Sequence, residues 1–347
     1  MRGKEVSLSI VAERKSIYAA FITGLVGLTF GLLYFADQTP PLFGRYSIGL
    51  TAALLAALIT FIMFLIAWRV PRMSMLEKRS HRIIHAASHW TKRGSVAFVH
   101  ASLVFLLLSA LFFLLQHAFK GLELNALAAS VIVALSVAGV SYMVYPLVDT
   151  LTLESLSVIL ATFLGAGVLT SAMSMQDPTW WQYHFSSLGA GNPVAAFTFN
   201  ITLIVAGIVV ITITQLVIDG LQRSLGERKR GVAIAGGLLM ATGAALAFVG
   251  LFNYEDHLLI HNIAASGMGV LFIILMIGLP KFMPFLDRSF YTASYAMLAG
   301  LIVGILLFVT KYFNLTAFEL VCAGIIFCWF IVFVRQIATL QPSSEVA

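Results

Sequence analysis

Residues 197–218 read FTFNITLIVAGIVVITITQLVI, 22 consecutive positions without an Asp, Glu, Lys, Arg or His. A helix advances about 1.5 Å per residue, so a run of roughly 20 apolar residues spans a hydrocarbon layer of about 30 Å. The stretch predicts a transmembrane helix, and it is one of a series. Comparable runs cover about 17–36, 47–68, 96–116, 126–146, 154–174, 232–252, 258–279, 290–310 and 315–335. A chain that is 60% hydrophobic and 10% charged, with mean hydropathy +0.97, cannot hide that surface in one water-soluble core. The expected fold class is all-α, a polytopic membrane bundle of about ten transmembrane helices. Arg2, Lys4, Arg14 and Lys15 give the first run the look of a signal sequence. That run is too long for a signal core, and no small-residue cleavage site follows it, so we expect a retained helix. Cys322 and Cys328 both fall in the last run, six positions apart, and predict neither a disulfide nor a metal pair.

Lysine and arginine near helix ends set orientation. With the amino terminus inside, 18 of the 21 Lys and Arg residues fall in inner segments, and only Arg45, Lys120 and Lys311 fall outside. Adding or removing one run would scramble this asymmetry, so ten spans with both termini cytoplasmic is the expected topology. The net charge of +6 then reflects orientation and anionic lipid, and it does not point to nucleic acid. The long inner segment 69–95 carries His81, His85 and His89 at four-residue spacing among basic residues. The pattern predicts a basic amphipathic helix on the inner leaflet, with Ile83, Ile84 and Trp90 in lipid, rather than a metal stripe.

Small residues allow close helix contact where lipid removes the hydrophobic drive, so Gly27/Gly31, Gly300/Gly304, Gly236-Gly237 and Gly267-Met-Gly269 are expected packing seams. Central polar positions are few, with Ser136, Tyr142, Asn200, Gln215 and Tyr295 typical. Asp149, Glu154, His117, Lys311 and Glu319 lie near span ends. Ion-coupled transport normally shows more intramembrane charge. The chain also lacks a phosphate-binding loop with Lys, a nucleophile elbow and a zincin motif.

Two polar segments on the expected outer side stand out. One is Tyr183-His184-Phe185-Ser186-Ser187-Leu188-Gly189, followed by Pro193 and Asn200. The other is Asn253-Tyr254-Glu255-Asp256-His257, followed by His261 and Asn262. His257 and His261 stand at helical spacing, and with His184 they would give three imidazoles and one open position, the pattern of a catalytic zinc site. Asp256 or Glu255 would then act as general base, and Ser186 or Ser187 would hold an oxyanion. The competing reading is local. Asn253 would cap the eighth span with Asp256 at its third helical position, and His261 would tie down the 183–189 loop. Gly189, Gly191 and Pro193 would turn the chain into the sixth span, with Trp180, Trp181 and Tyr183 as an aromatic anchor.

The run 183–189, with Pro193, Phe197 and Asn200, resembles the motif of the Frag/DRAM/Sfk family of polytopic membrane proteins. Asn253 followed by His261 and Ala264-Ala265 is similar to that family's second motif. Residues 154–336 match its six-helix layout, and bacterial members grouped as an uncharacterised domain family look especially close. The resemblance implies lipid-related roles, in lipid-anchor remodelling, lipid asymmetry or autophagy, without one shared catalytic activity. It also implies kinship to alkaline ceramidases and adiponectin receptors, whose metal site joins a serine, an aspartate and three histidines. The spacing of His257 and His261 agrees with two of those histidines, whereas no Ser-xxx-His precedes them.

The expected organisation is a four-span unit over 1–150 and a six-span unit over 151–347, in the cytoplasmic membrane of a bacterium. The expected function is binding, sensing or redistribution of membrane lipid at an outward polar site. Its ligand-contacting residues would be Tyr183, His184, Ser187, Asn200, Asn253 and His261. The alternatives are a zinc-dependent lipid hydrolase or transferase using His184, His257 and His261, and a small-molecule transporter.

Overall fold

The computed structural model describes residues 2–67, 82–150, 152–224 and 229–340. They form helices α1 (Arg2–Tyr34), α2 (Ile48–Ala67), α3 (Arg82–Ala118), α4 (Ala126–Thr150) and α5 (Leu153–Ser174). Then follow α6 (Pro193–Ser224), α7 (Lys229–Leu251), α8 (Leu258–Phe282), α9 (Arg288–Val309) and α10 (Leu315–Leu340). Each of the ten is long and apolar enough to cross a membrane, and no strand occurs among the described residues. The protein is an all-helical, multi-pass membrane protein. A helix satisfies its own backbone hydrogen bonds, which is what a segment in lipid requires.

Many helix starts are set by short polar residues. Ser47 Oγ accepts from Leu50 N–H, Asn125 Oδ1 from Ala128 N–H, and Asn314 Oδ1 from Ala317 N–H. Thr152 and Ser155 form a capping box at α5, and Asp287 caps α9 through Ser289 N–H. These side chains occupy donors of the first helical turn that have no intrahelical partner.

The chain divides into two compact units, Met1–Leu151 and Thr152–Ala347. In the first, α1 lies along α4, and α2 packs on both α3 and α4. Gly24, Gly27 and Gly31 form the contact stripe of α1: a Cβ at Gly27 would stand 3.1 Å from Ala134 Cα, and one at Gly31 2.8 Å from Ser130 Cα. The Gly27/Gly31 seam is therefore where the spacing predicts it. In the second unit α6 is central, packing on α5 and α7, with α8 against α7 and α10 against α5 and α9. Protein covers 67% of the apolar window of α6, against 17–44% for the unit's other five helices. Two of its buried hydroxyls bond within the helix, Thr202 Oγ1 donating to Thr198 O and Thr212 Oγ1 to Ile208 O, while Thr214 Oγ1 has no partner among the described residues.

Three expectations change. Gly267 and Gly269 are not a seam, because a Cβ at either position would meet nothing within 4 Å. The pair sits on a part of α8 that no neighbouring helix approaches closely. The basic stretch from Arg82 is not a separate surface helix either, since α3 runs unbroken from Arg82 into the span. Residues 68–81, His81 among them, and the side chains of His85 and His89 lie outside the described residues. Finally, α8 begins at Leu258, with His257 as its cap residue and no side-chain capping bond. Asn253 does accept from Asp256 N–H, but it closes a separate turn ahead of the helix, and Asp256 is not its third residue.

Candidate functional site

Three connections meet at one end of the second unit: α5–α6, α7–α8 and α9–α10. The first holds two short 3-10 turns, Trp180–Gln182 and Phe185–Gly189, ahead of Pro193 at the start of α6. Each turn is tied to α10. Phe185 N–H donates to Glu319 Oε2 at 2.6 Å, and Asn314 Nδ2 donates to Trp181 O at 3.2 Å. Asn200 fastens the other end of the loop, its Nδ2 donating to Gly189 O at 2.9 Å. Gly189 has to be glycine here, because a Cβ would lie 2.5 Å from Asn200 Oδ1 and 3.0 Å from Phe199. Phe185 packs edge-on against Phe199, and Ser171 Oγ donates to Ala195 O.

This scaffold presents His184, Ser186 and Ser187. Ser186 is buried, Ser187 and His184 are half-buried, and Tyr183 is exposed. His184 Nδ1 stands 2.9 Å from Ser186 Oγ and 3.2 Å from Ser187 Oγ. With Nδ1 unprotonated, a serine hydroxyl donates to the ring; in the other tautomer Nδ1–H donates to a serine oxygen. The ring also faces Tyr254 of the α7–α8 connection, with centroids 4.2 Å apart. Tyr254 in turn meets the edge of His261, at 5.8 Å and 89°. His261 is 4% exposed, and its Nδ1–H donates to Phe252 O at 2.8 Å, which fixes the orientation of the ring. The order His184–Tyr254–His261 is the centre of the site, bordered by the two serine hydroxyls.

Other expected participants stand elsewhere. His257 is exposed and packs edge-on against Phe252, 5.4 Å between centroids. Asn253 and Asp256 bond to each other, through Asn253 Nδ2 to Asp256 Oδ2 as well as the backbone contact. His261 anchors its own connection through Phe252 and meets the 183–189 loop by way of Tyr254. Among the described residues no group of three or more His, Cys, Asp and Glu is placed to hold a metal ion. The donor set is two imidazoles separated by a tyrosine ring, which does not suit a three-histidine zinc centre. Glu319 is the participant that sequence reading leaves at a span end. Only its separation from Phe185 by more than a hundred residues hides it, since no local pattern links the two.

Burial holds the His184 imidazole below the usual histidine range; the neighbouring His261 adds to this and Glu255 opposes it. With the folded value depressed, the protein favours neutral His184. Its contribution is intact above about pH 6.5 and is lost as pH falls toward the depressed value. Nitrogen NMR of labelled histidine should show His184 titrating below 6.5. His261→Gln should move that midpoint up and Glu255→Gln should move it down. A midpoint unmoved by either change would separate these groups electrostatically.

A family described as "Protein of unknown function (DUF998)" matches residues 157–336, just over half of the chain. No curated protein and no solved structure matches the chain.

Proposed function

Since the chain belongs to the DUF998 family, whose description assigns no activity, we propose a function from the site itself: binding of a membrane lipid by its headgroup. The observation that carries this reading is the position of the polar cluster. His184, Ser186, Ser187, Tyr254 and His261 converge at the end of an otherwise apolar helical unit, within reach of the bilayer surface. Trp181 in the α5–α6 connection (50%), Val194 (52%) and Phe197 (60%) in the first turns of α6, and Leu259 (72%) in the first turn of α8 are exposed beside them. Hydroxyls and imidazoles beside lipid-facing aliphatic and aromatic groups suit an amphiphile, polar at one end and apolar at the other. Asn192 Oδ1 in the loop and Asn200 Oδ1 on α6 are buried acceptors without partners among the described residues. The similarity of 183–200 and 253–265 to Frag/DRAM/Sfk proteins supports a lipid role. The distribution of Lys and Arg supports an outward-facing site in a cell membrane.

The test is lipid retention. The protein is purified in mild detergent, and its bound lipid is measured by native mass spectrometry for wild type and for His184→Ala/His261→Ala. Losing two hydrogen-bonding rings, each worth about 0.5–1.5 kcal/mol net, lowers retention about tenfold. Equal retention in a double variant of unchanged helicity would refute headgroup binding at this site.

A further inference from the structure

We propose that the first unit holds an internal water site formed by Thr60, His100 and Ser141. Each interrupts an apolar stripe: Ala52-Ala56-Thr60-Phe64 on α2, Val96-His100-Val104 on α3, and Val137-Ser141-Val144-Val148 on α4. All three are buried, at 1%, 3% and 1% exposure. Their neighbours along the three helices form one apolar cluster: Phe64, Val96, Ala97, Val144 and Val148, against which Val104 and Val140 also pack.

The position of His100 is fixed twice. Its ring stacks on Phe64, with centroids 3.9 Å apart and planes 25° apart, and its Nδ1 lies 2.8 Å from Val96 O. A carbonyl only accepts, so Nδ1 carries the proton and Nε2 presents a lone pair. That lone pair has no partner among the described residues, and neither do Thr60 Oγ1 and Ser141 Oγ. Other hydroxyls in this unit bond back to their own helix, as Thr51 does to Ser47 O and Ser130 to Ala126 O, although Ser109 Oγ on α3 is also unpartnered. Thr60 and Ser141 depart from that pattern.

Buried polar atoms without partners are unfavourable in lipid, and a trapped water settles where about two to four of them converge. A rigidly held acceptor and two hydroxyls that can donate or accept, on three helices that share one apolar cluster, supply that number of partners. The family match begins at residue 157, so the site belongs to a part of the chain that the match does not reach.

The test uses the full chain in lipid nanodiscs with nitrogen-labelled histidine, reading magnetisation transfer from water to the His100 ring. Transfer to a hydrogen-bonded Nε2 is expected, falling severalfold in Thr60→Val/Ser141→Ala and persisting in Thr60→Ser, which keeps the hydroxyl. Three results would overturn the proposal: a free Nε2 lone pair, a hydrogen-bonded Nε2 with no transfer from water, or equal transfer in the double variant. The second would mean that a protein hydroxyl or a co-purified solute holds the ring instead. If the double variant does not fold, the wild-type spectrum still decides.

Discussion

Gly207→Leu should destabilise the second unit more than any other single substitution considered. A Cβ at Gly207 would stand 2.4 Å from Gly243 O, 2.7 Å from Ala247 N and 2.8 Å from Ala247 Cβ. Two of these are backbone atoms of α7, which cannot rotate out of the way as a side chain would. The helices must separate, and the loss spreads along their whole contact. Further toward the site, a Cβ at Gly250 would be 2.5 Å from Asn200 O, so the same close approach brings the α7–α8 connection against the 183–189 loop. Overpacking typically costs about 1–3 kcal/mol, and a bulky side chain against backbone belongs at or above that limit. Measured against a total stability of roughly 5–15 kcal/mol, that is a large fraction. Thermal unfolding in detergent, followed by circular dichroism, provides the measurement. Gly237→Leu is the control, since a Cβ at Gly237 meets nothing within 4 Å. If both variants melted together, the α6–α7 contact would not be the seam of this unit.

This seam shows why part of the fold was legible in the sequence and part was not. Ten helices follow from hydropathy, because lipid imposes one length and one backbone solution on every crossing. Which glycines touch does not follow, because a contact needs a partner, and the partner's position depends on how helices face each other. Gly27/Gly31 and Gly267/Gly269 look equally good as spacings, yet only the first meets a neighbouring helix. Gly236, Gly243 and Gly250 recur every seven residues on α7, but nothing in the sequence marks Gly207 of α6 as what Gly243 faces. The site divides in the same way. The segments 183–189 and 253–262 are visible as polar breaks between apolar runs, and the structure does bring His184, Tyr254 and His261 together. Helical spacing pairs His257 with His261, but the helix starts one residue after His257, and that ring turns to Phe252. His100 has no sequence signal at all. It lies near the start of an apolar run, and only the packing of Phe64 reveals that it is buried.

Glu319→Leu should release the site without unfolding the helices. The carboxylate lies just inside α10, half-buried, and accepts Phe185 N–H at 2.6 Å. Phe185 opens the 3-10 turn that carries Ser186 and Ser187, and it follows His184 directly. Leucine preserves bulk but leaves that N–H without its acceptor, whereas Glu319→Gln retains an oxygen at the same reach. Losing the acceptor of a buried donor costs about 1–3 kcal/mol, which converts to roughly 5–150-fold faster exchange of that amide if local opening governs exchange. Hydrogen exchange read by mass spectrometry should therefore show fast exchange confined to residues about 183–189 in Glu319→Leu and near-native exchange in Glu319→Gln. Asn200 would still hold Gly189, so the loop should loosen from the Phe185 end and leave α6 protected. Lipid retention should fall in Glu319→Leu as well, because His184 and both serines lose their fixed position before any binding group is removed. Unchanged exchange in Glu319→Leu would mean that the turn holds its own geometry, and the route from α10 to the site would be lost with it.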